Sequence, residues 1–160
     1  MKVFARTLAL GSVLAILAPA ATLAAQAVDP SIGKWELNIA KSTFKPGPAP
    51  KSVTVTFETV ATGTKVQANV IAADGKAIET LYTANADGKD YPVTGSPDYD
   101  AVSIKQIDVM TRETTRKMGG KVVQTATGEV SNSGKTLTVK TKGTNAKGEH
   151  INNVAVYDKV

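Results

Sequence analysis

The sequence predicts an all-β protein: an antiparallel up-and-down meander of eight to ten strands closed into a small barrel, with a two-sheet β-sandwich as the alternative. Three observations carry this reading. From Val28 onward the chain holds 16 Val, 7 Ile and 18 Thr but only 3 Leu. β-Branched side chains lose rotamer freedom in helices and fit a pleated surface. Tight-turn dipeptides recur as Asp74-Gly75, Asp87-Gly88, Gly119-Gly120, Ser133-Gly134 and Lys147-Gly148, and glycine there supplies the backbone geometry that hairpins demand. Between the turns, apolar and polar residues alternate with period two, the mark of strands with one buried face.

Taken in chain order, strands are expected at 32–38, 52–61, 64–73, 76–84, 90–94, 101–107, 110–118, 121–131, 136–143 and 149–158. In the second, Val53, Val55 and Phe57 alternate with Thr54, Thr56 and Glu58. In the third, Val66, Ala68 and Val70 alternate with Lys65, Gln67 and Asn69. Val102 and Ile104, then Leu137 and Val139, mark two more buried faces. Two segments interrupt the rhythm. Phe44 to Pro50 has proline at every second place from Pro46, and proline cannot donate to a ladder, so this segment is an extended surface loop. Pro92 to Tyr99 forms the second loop. Closing so long a meander removes its two exposed edges, which favours the barrel.

The first 27 residues read as a secretory signal, and 28–160 as one domain. Lys2 and Arg6 give a basic start, Leu8 to Ala18 is apolar or small, Pro19 breaks it, and Ala25-Gln26-Ala27 offers a signal-peptidase site. An apolar run of about eleven residues is too short for a membrane span, which needs roughly 20. Cleavage after Ala27 leaves 133 residues and lowers the net charge from +5 to +3. The remaining Lys residues are scattered at turns, without the basic clustering and interleaved aromatics of a nucleic-acid surface. The expected product is a soluble monomer of the periplasm or medium.

The residues also limit the chemistry. With no Cys, the chain has no disulfide framework, thiolate metal site or cysteine nucleophile. With one His, His150, it has neither a Ser-His-Asp triad nor a multi-His metal site of its own. Asn85 to Asp90 lacks the acidic spacing and closing Glu of a calcium loop. No enzyme activity, cofactor or metal is expected. Binding remains.

Gly33-Lys34-Trp35 at the start of the mature chain and Val156-Tyr157-Asp158-Lys159-Val160 at its end resemble the ends of the calycins, the group that holds lipocalins and fatty-acid-binding proteins. The chain resembles a secreted bacterial lipocalin-like barrel of unassigned role. The resemblance implies that Trp35 plugs one barrel end and that a small apolar or amphiphilic molecule binds inside. It also implies a Tyr on the last strand, matched by Tyr157, and an Arg two residues earlier. Ala155 stands there instead, and the Pro-rich loop takes the place of a helical lid, so the carboxylate clamp of the fatty-acid binders is incomplete.

The candidate ligand contacts are Arg112, Asn153, Tyr157, Phe57 and Tyr82. Ile151, Asn153, Ala155 and Tyr157 share one face of the last strand. In strand 110–118 either Met110, Arg112, Thr114 and Arg116 face inward, or Val109, Thr111 and Thr115 do. The first arrangement makes Arg112, Asn153 and Tyr157 a polar anchor in an apolar barrel. Other readings of the same chain are a cell-envelope interaction module, such as an inhibitor or assembly factor, and a structural envelope protein. Mass measurement of exported protein is expected to find a chain beginning near Val28; exported protein that retains residues 1–27 overturns the signal reading.

Overall fold

The computed structural model describes residues 29–160; the expected leader lies outside the described residues. Ten strands follow one another: β1 (Gly33–Leu37), β2 (Ser52–Val60), β3 (Gly63–Ile71), β4 (Ala77–Ala84), β5 (Asp87–Pro92), β6 (Ala101–Gln106), β7 (Thr111–Met118), β8 (Lys121–Val130), β9 (Thr136–Thr144) and β10 (His150–Lys159). The only helical piece among the described residues is a single 3₁₀ turn, Ile39–Lys41. All ten strands form one antiparallel sheet in the order β4-β3-β2-β1-β10-β9-β8-β7-β6-β5. This is a nearly closed up-and-down barrel rather than a two-sheet sandwich.

Closure has two parts. The first and last strands pair directly, with Trp35, Glu36 and Leu37 opposite Lys159, Asp158 and Tyr157. β1 is only five residues long, so it leaves the first half of β10 uncovered. The loop behind it fills that gap. Thr43 and Val154 exchange both backbone hydrogen bonds, at 2.7 and 2.8 Å, and Asn152 N–H donates to Lys45 O at 2.8 Å.

The second part is a seam between β4 and β5, the two edges of the sheet. A single bridge crosses it, with Leu81 and Thr94 exchanging two backbone bonds of 3.0 Å. Gly95 permits this approach. Its φ is +81°, and a Cβ there would lie 1.8 Å from Glu79 O, so any side chain would force the seam apart.

The expected turn at Asp87-Gly88 is instead a bulge inside β5. Gly88 has φ +77°, Lys89 N–H donates to Asp87 Oδ1 at 3.1 Å, and the β5–β6 register slips between Asp87 and Asp90. The chain reverses at Asn85 and Ala86, and β5 therefore begins three residues earlier than alternation suggests. A positive-φ glycine serves a bulge as readily as a turn, and alternation alone does not separate the two.

The buried core comes in two pieces. One lies at the seam, where Ala84, Val93, Val102 and Ile104 pack with Tyr82, Tyr91 and Tyr99. The other lies at the barrel end where the segment before β1 meets the end of β10, called the floor below, where Trp35, Val130 and Leu137 pack with Phe57, Met110, Val139 and Tyr157. Trp35 is 0% exposed. Its indole N–H donates to Ser31 O at 2.7 Å, and Lys159 Nζ lies 5.0 Å from the ring centroid. Trp35→Ala is expected to destabilise the protein by about 3–5 kcal/mol, the usual loss on truncating a buried large aromatic, in denaturant titrations followed by far-UV circular dichroism. A loss below about 1 kcal/mol contradicts this assignment of the floor.

Candidate functional site: an interior cavity with a polar stripe

Between the two core pieces lies a cavity of about 370 Å³. Its walls follow from strand register. On β2, β3 and β4, Val53, Val70 and Ile78 form one cross-strand row, Val55, Ala68 and Thr80 the next, and Phe57, Val66 and Tyr82 a third. All nine line the cavity. They are the inward members of the alternating strands, and Ala68 and the valines leave space that Leu or Phe would occupy. This wall is apolar except for Thr80 and the Tyr82 hydroxyl.

The opposite wall carries the charge. The face of β7 that points inward holds Arg112, Thr114 and Arg116, with Met110 just before the strand. Of the two faces that period two allows, the even-numbered one lines the cavity. Small residues on β8 give the long side chains room: Gly128 pairs with Arg112, and Ala126 with Thr114. β9 adds Leu137 and Val139, and β10 adds Tyr157.

The two arginines have different surroundings. Arg112 forms an ion pair with Asp29 and donates from Nε to Gln106 Oε1 at 3.0 Å. Asp29 belongs to the segment before β1, which crosses the floor and is tied down repeatedly. Ser31 donates to Asp29 Oδ1 from its N–H at 3.0 Å and from its hydroxyl at 2.8 Å. Ile32 N–H donates to Asp29 O at 3.1 Å, and Lys159 Nζ donates to Pro30 O at 3.2 Å. Burial pushes the Asp29 carboxyl up, but the hydrogen bonds from Arg112 and Ser31, with the Arg112 charge, outweigh it and hold the group below the ordinary 3.8. A second recess of about 380 Å³ at the floor side also touches Asp29 and Arg112, so this ion pair borders both spaces.

Arg116 lies nearer the other end, the mouth, where residues from the loops after β1 and β5, including Phe44, Pro50, Pro97 and Tyr99, surround the cavity. Its Nη1 donates to Gln124 Oε1 at 2.9 Å, and its guanidinium carbon stands 4.8 Å from the Tyr99 ring centroid. Gln124 is the cross-strand partner of Arg116, is almost fully buried, and donates onward to Thr144 O at 3.2 Å. Burial pushes the Tyr82 and Tyr157 phenols each up to about 12. Both are therefore neutral hydroxyls at physiological pH.

Of the residues expected from sequence, Arg112, Phe57, Tyr82 and Tyr157 line the cavity, and Asn153 does not. The Asn153 Oδ1 accepts from Lys45 N–H at 2.9 Å, which fastens the Pro-rich loop to β10. Trp35 lies in the floor cluster, outside the cavity lining. Arg116 was visible as a member of the Arg112 face by period two. Asp29 and Tyr99 carried no local signal, because loop geometry alone brings them to the wall. His150 is exposed at the start of β10. Among the described residues no three of His, Cys, Asp or Glu cluster as metal ligands, and no helix is long and apolar enough to cross a membrane.

Fold and site together define a class: a ten-stranded, nearly closed antiparallel barrel with an interior cavity. No family model and no curated protein matches the chain. Among solved structures it is similar to zebrafish ileal bile acid-binding protein, crystallised with cholic acid, at 12% sequence identity and a TM-score of 0.45 over 82% of this chain and 99% of that one.

The Asp29–Arg112 pair generates a prediction. Asp29→Asn is expected to destabilise the protein by about 1–3 kcal/mol at pH 7, because it leaves a largely buried guanidinium without its counter-ion. A carboxyl with a depressed folded pKa contributes fully above its unfolded value and loses that contribution as pH falls through the folded one. The difference between wild type and Asp29→Asn therefore shrinks below pH 3.8. Urea titrations across the acid range check this, and a difference independent of pH contradicts it.

Proposed function

We propose that the protein is a binding barrel: after export and cleavage of its leader near Ala27, it holds one small apolar or amphiphilic molecule in the interior cavity and performs no chemistry on it. The observation that carries this reading is the cavity itself. Its volume of about 370 Å³ falls within the roughly 300–1,000 Å³ of small-molecule sites. It combines three apolar cross-strand rows on one wall with a few polar groups on the other. Phe57, Tyr82, Tyr157 and the inward face of β7 make the contacts. Apolar area removed from water supplies affinity at roughly 25 cal/mol per Å², and the polar groups orient the molecule.

The reading assigns the floor a closing role. Asp29 to Ser31 and Trp35 fill part of that end, beside the recess lined by Asn85 and Ala86, and the reading takes the mouth, between the loops after β1 and β5, as the way in. Asn153 contributes indirectly by fastening the first of those loops.

A neutral fluorophore tests the reading. N-phenyl-1-naphthylamine is expected to bind the wild-type chain at one molecule per chain with enhanced emission. Ala68 stands in the middle row of the apolar wall, so Ala68→Trp fills the cavity and is expected to weaken binding at least about tenfold, equivalent to about 1.4 kcal/mol. Emission and stoichiometry unchanged by Ala68→Trp, in a variant whose circular dichroism matches wild type, overturn the interior site.

A further inference from the structure

We propose that the recess at the floor is a second passage into the barrel interior, and that the segment Asp29 to Ser31 is a strap that closes it, latched to β7 by the Asp29–Arg112 ion pair. This rests on the reading of the cavity as a ligand site and goes beyond it by adding a route to that site.

The recess leads from solvent to the cavity. On its outer side stand Asn85, Ala86, Gln106 and Val109, all exposed. On its inner side, Phe57, Val66, Tyr82 and Thr114 line the recess and the cavity alike. Asp29, Pro30 and Arg112 also border both spaces, so the strap and its ion pair stand where the two meet.

The opening is built into the floor turns. On one side, Asn85 Nδ2 donates to Thr62 O and to the Tyr91 hydroxyl, each at 3.2 Å, and that hydroxyl donates to Asp87 Oδ2 at 2.9 Å. These bonds fix the turn between β4 and β5 against the turn between β2 and β3. On the other side, Gln106 Nε2 donates to Asp108 O and Thr111 O, and Met110 N–H donates to Asp108 Oδ1 at 2.8 Å, which fixes the turn between β6 and β7. Each rim is held by its own bonds. Among the described residues no hydrogen bond joins the β4–β5 turn to the β6–β7 turn.

The strap is held unequally at its two sides. Toward β1 and β10 its backbone has two anchors: Ser31 O accepts from the Trp35 indole N–H at 2.7 Å, and Pro30 O accepts from Lys159 Nζ at 3.2 Å. Toward β7 it has only the Arg112 ion pair. The other hydrogen bonds of Asp29 go to Ser31 and Ile32, its own neighbours in the chain. The Trp35 side is fully buried, whereas the side chains of Asp29 and Arg112 remain 26% and 20% exposed. Water competes for a pair exposed in this way, and such pairs hold less firmly than buried ones. The first side is therefore a hinge and the second a latch. When the ion pair parts, the indole stays in place and the strap swings off the recess.

Stopped-flow fluorescence of N-phenyl-1-naphthylamine tests the passage. A passage conducts in both directions, so opening it raises the association and dissociation rate constants by the same factor and leaves Kd unchanged. A lost ligand contact raises dissociation alone. Asp29→Asn breaks the latch and is expected to raise both rate constants at least about threefold, as release of a gating segment does. Ala86 lines the recess and not the cavity, so Ala86→Trp plugs the opening from outside. Added to Asp29→Asn, it is expected to return both rate constants to within about twofold of wild type. Alone it is expected to change neither by more than about twofold, because the strap already closes the opening; a larger slowing overturns the latch. The passage is overturned by unchanged rate constants in an Asp29→Asn variant of native circular dichroism, by a rise in dissociation alone, or by a gain that survives Ala86→Trp. If Asp29→Asn does not fold, Ser31→Ala, which removes a hydrogen bond that positions the Asp29 carboxylate, takes its place under the same criteria. In all these outcomes the wild-type chain binds the probe and the cavity reading stands. A wild-type chain that binds no probe overturns the cavity reading, and this proposal with it.

Discussion

Trp35 sets the constraint on which the rest of the barrel depends. Its indole is fully buried where the first and last strands meet, and its N–H holds Ser31 O. That bond directs the preceding residues across the floor, so that Asp29 meets Arg112 from a position 83 residues away in sequence. Two consequences follow from one side chain. The barrel end is filled without a helix, and one of the two inward guanidiniums is neutralised by a residue of the chain itself. The difference between Arg112 and Arg116 is thus a consequence of how the floor is built.

Local and long-range features differ in how far the sequence reveals them. Strand positions were legible because alternation is a local property: Val53, Val55 and Phe57 declare a buried face irrespective of the rest of the chain. The resemblance of the two chain ends anticipated a barrel, and strand pairing joins those ends. At the cavity, period two placed Arg112 and Arg116 together but left two orientations of their strand, because Thr residues occupy both faces. The pairing of Arg112 with Asp29 was not legible, since no periodicity relates a terminal segment to β7. Asn153 shows the converse limit. Its position on the strand follows from alternation, but the Lys45 N–H that engages its side chain belongs to a loop whose path proline content does not specify.

The division of the core into two clusters follows from composition. A barrel lined by Val, Ala and Thr cannot fill its own centre, because these side chains are short and stand on opposing walls. The larger residues gather at the floor and the seam, where Trp35, Phe57 and the tyrosines bring walls together. Packing is therefore concentrated where the sheet must close. The middle is left to a cavity, whose lining forgoes dispersion contacts that a filled core would make.

The pairing of β1 with β10 also dictates when the structure can exist. Every other neighbouring pair joined by hydrogen bonds is a hairpin of consecutive strands, which forms from a short stretch of chain. The floor instead requires Trp35 and Lys159 at once. The edge of β1 away from β2 has no strand partner until β10 is available, and a pairing between segments so far apart in the chain is slow to form. Until that pairing forms the barrel stays open, a state in which the unpaired edge of β1 is a point of vulnerability to association with other chains.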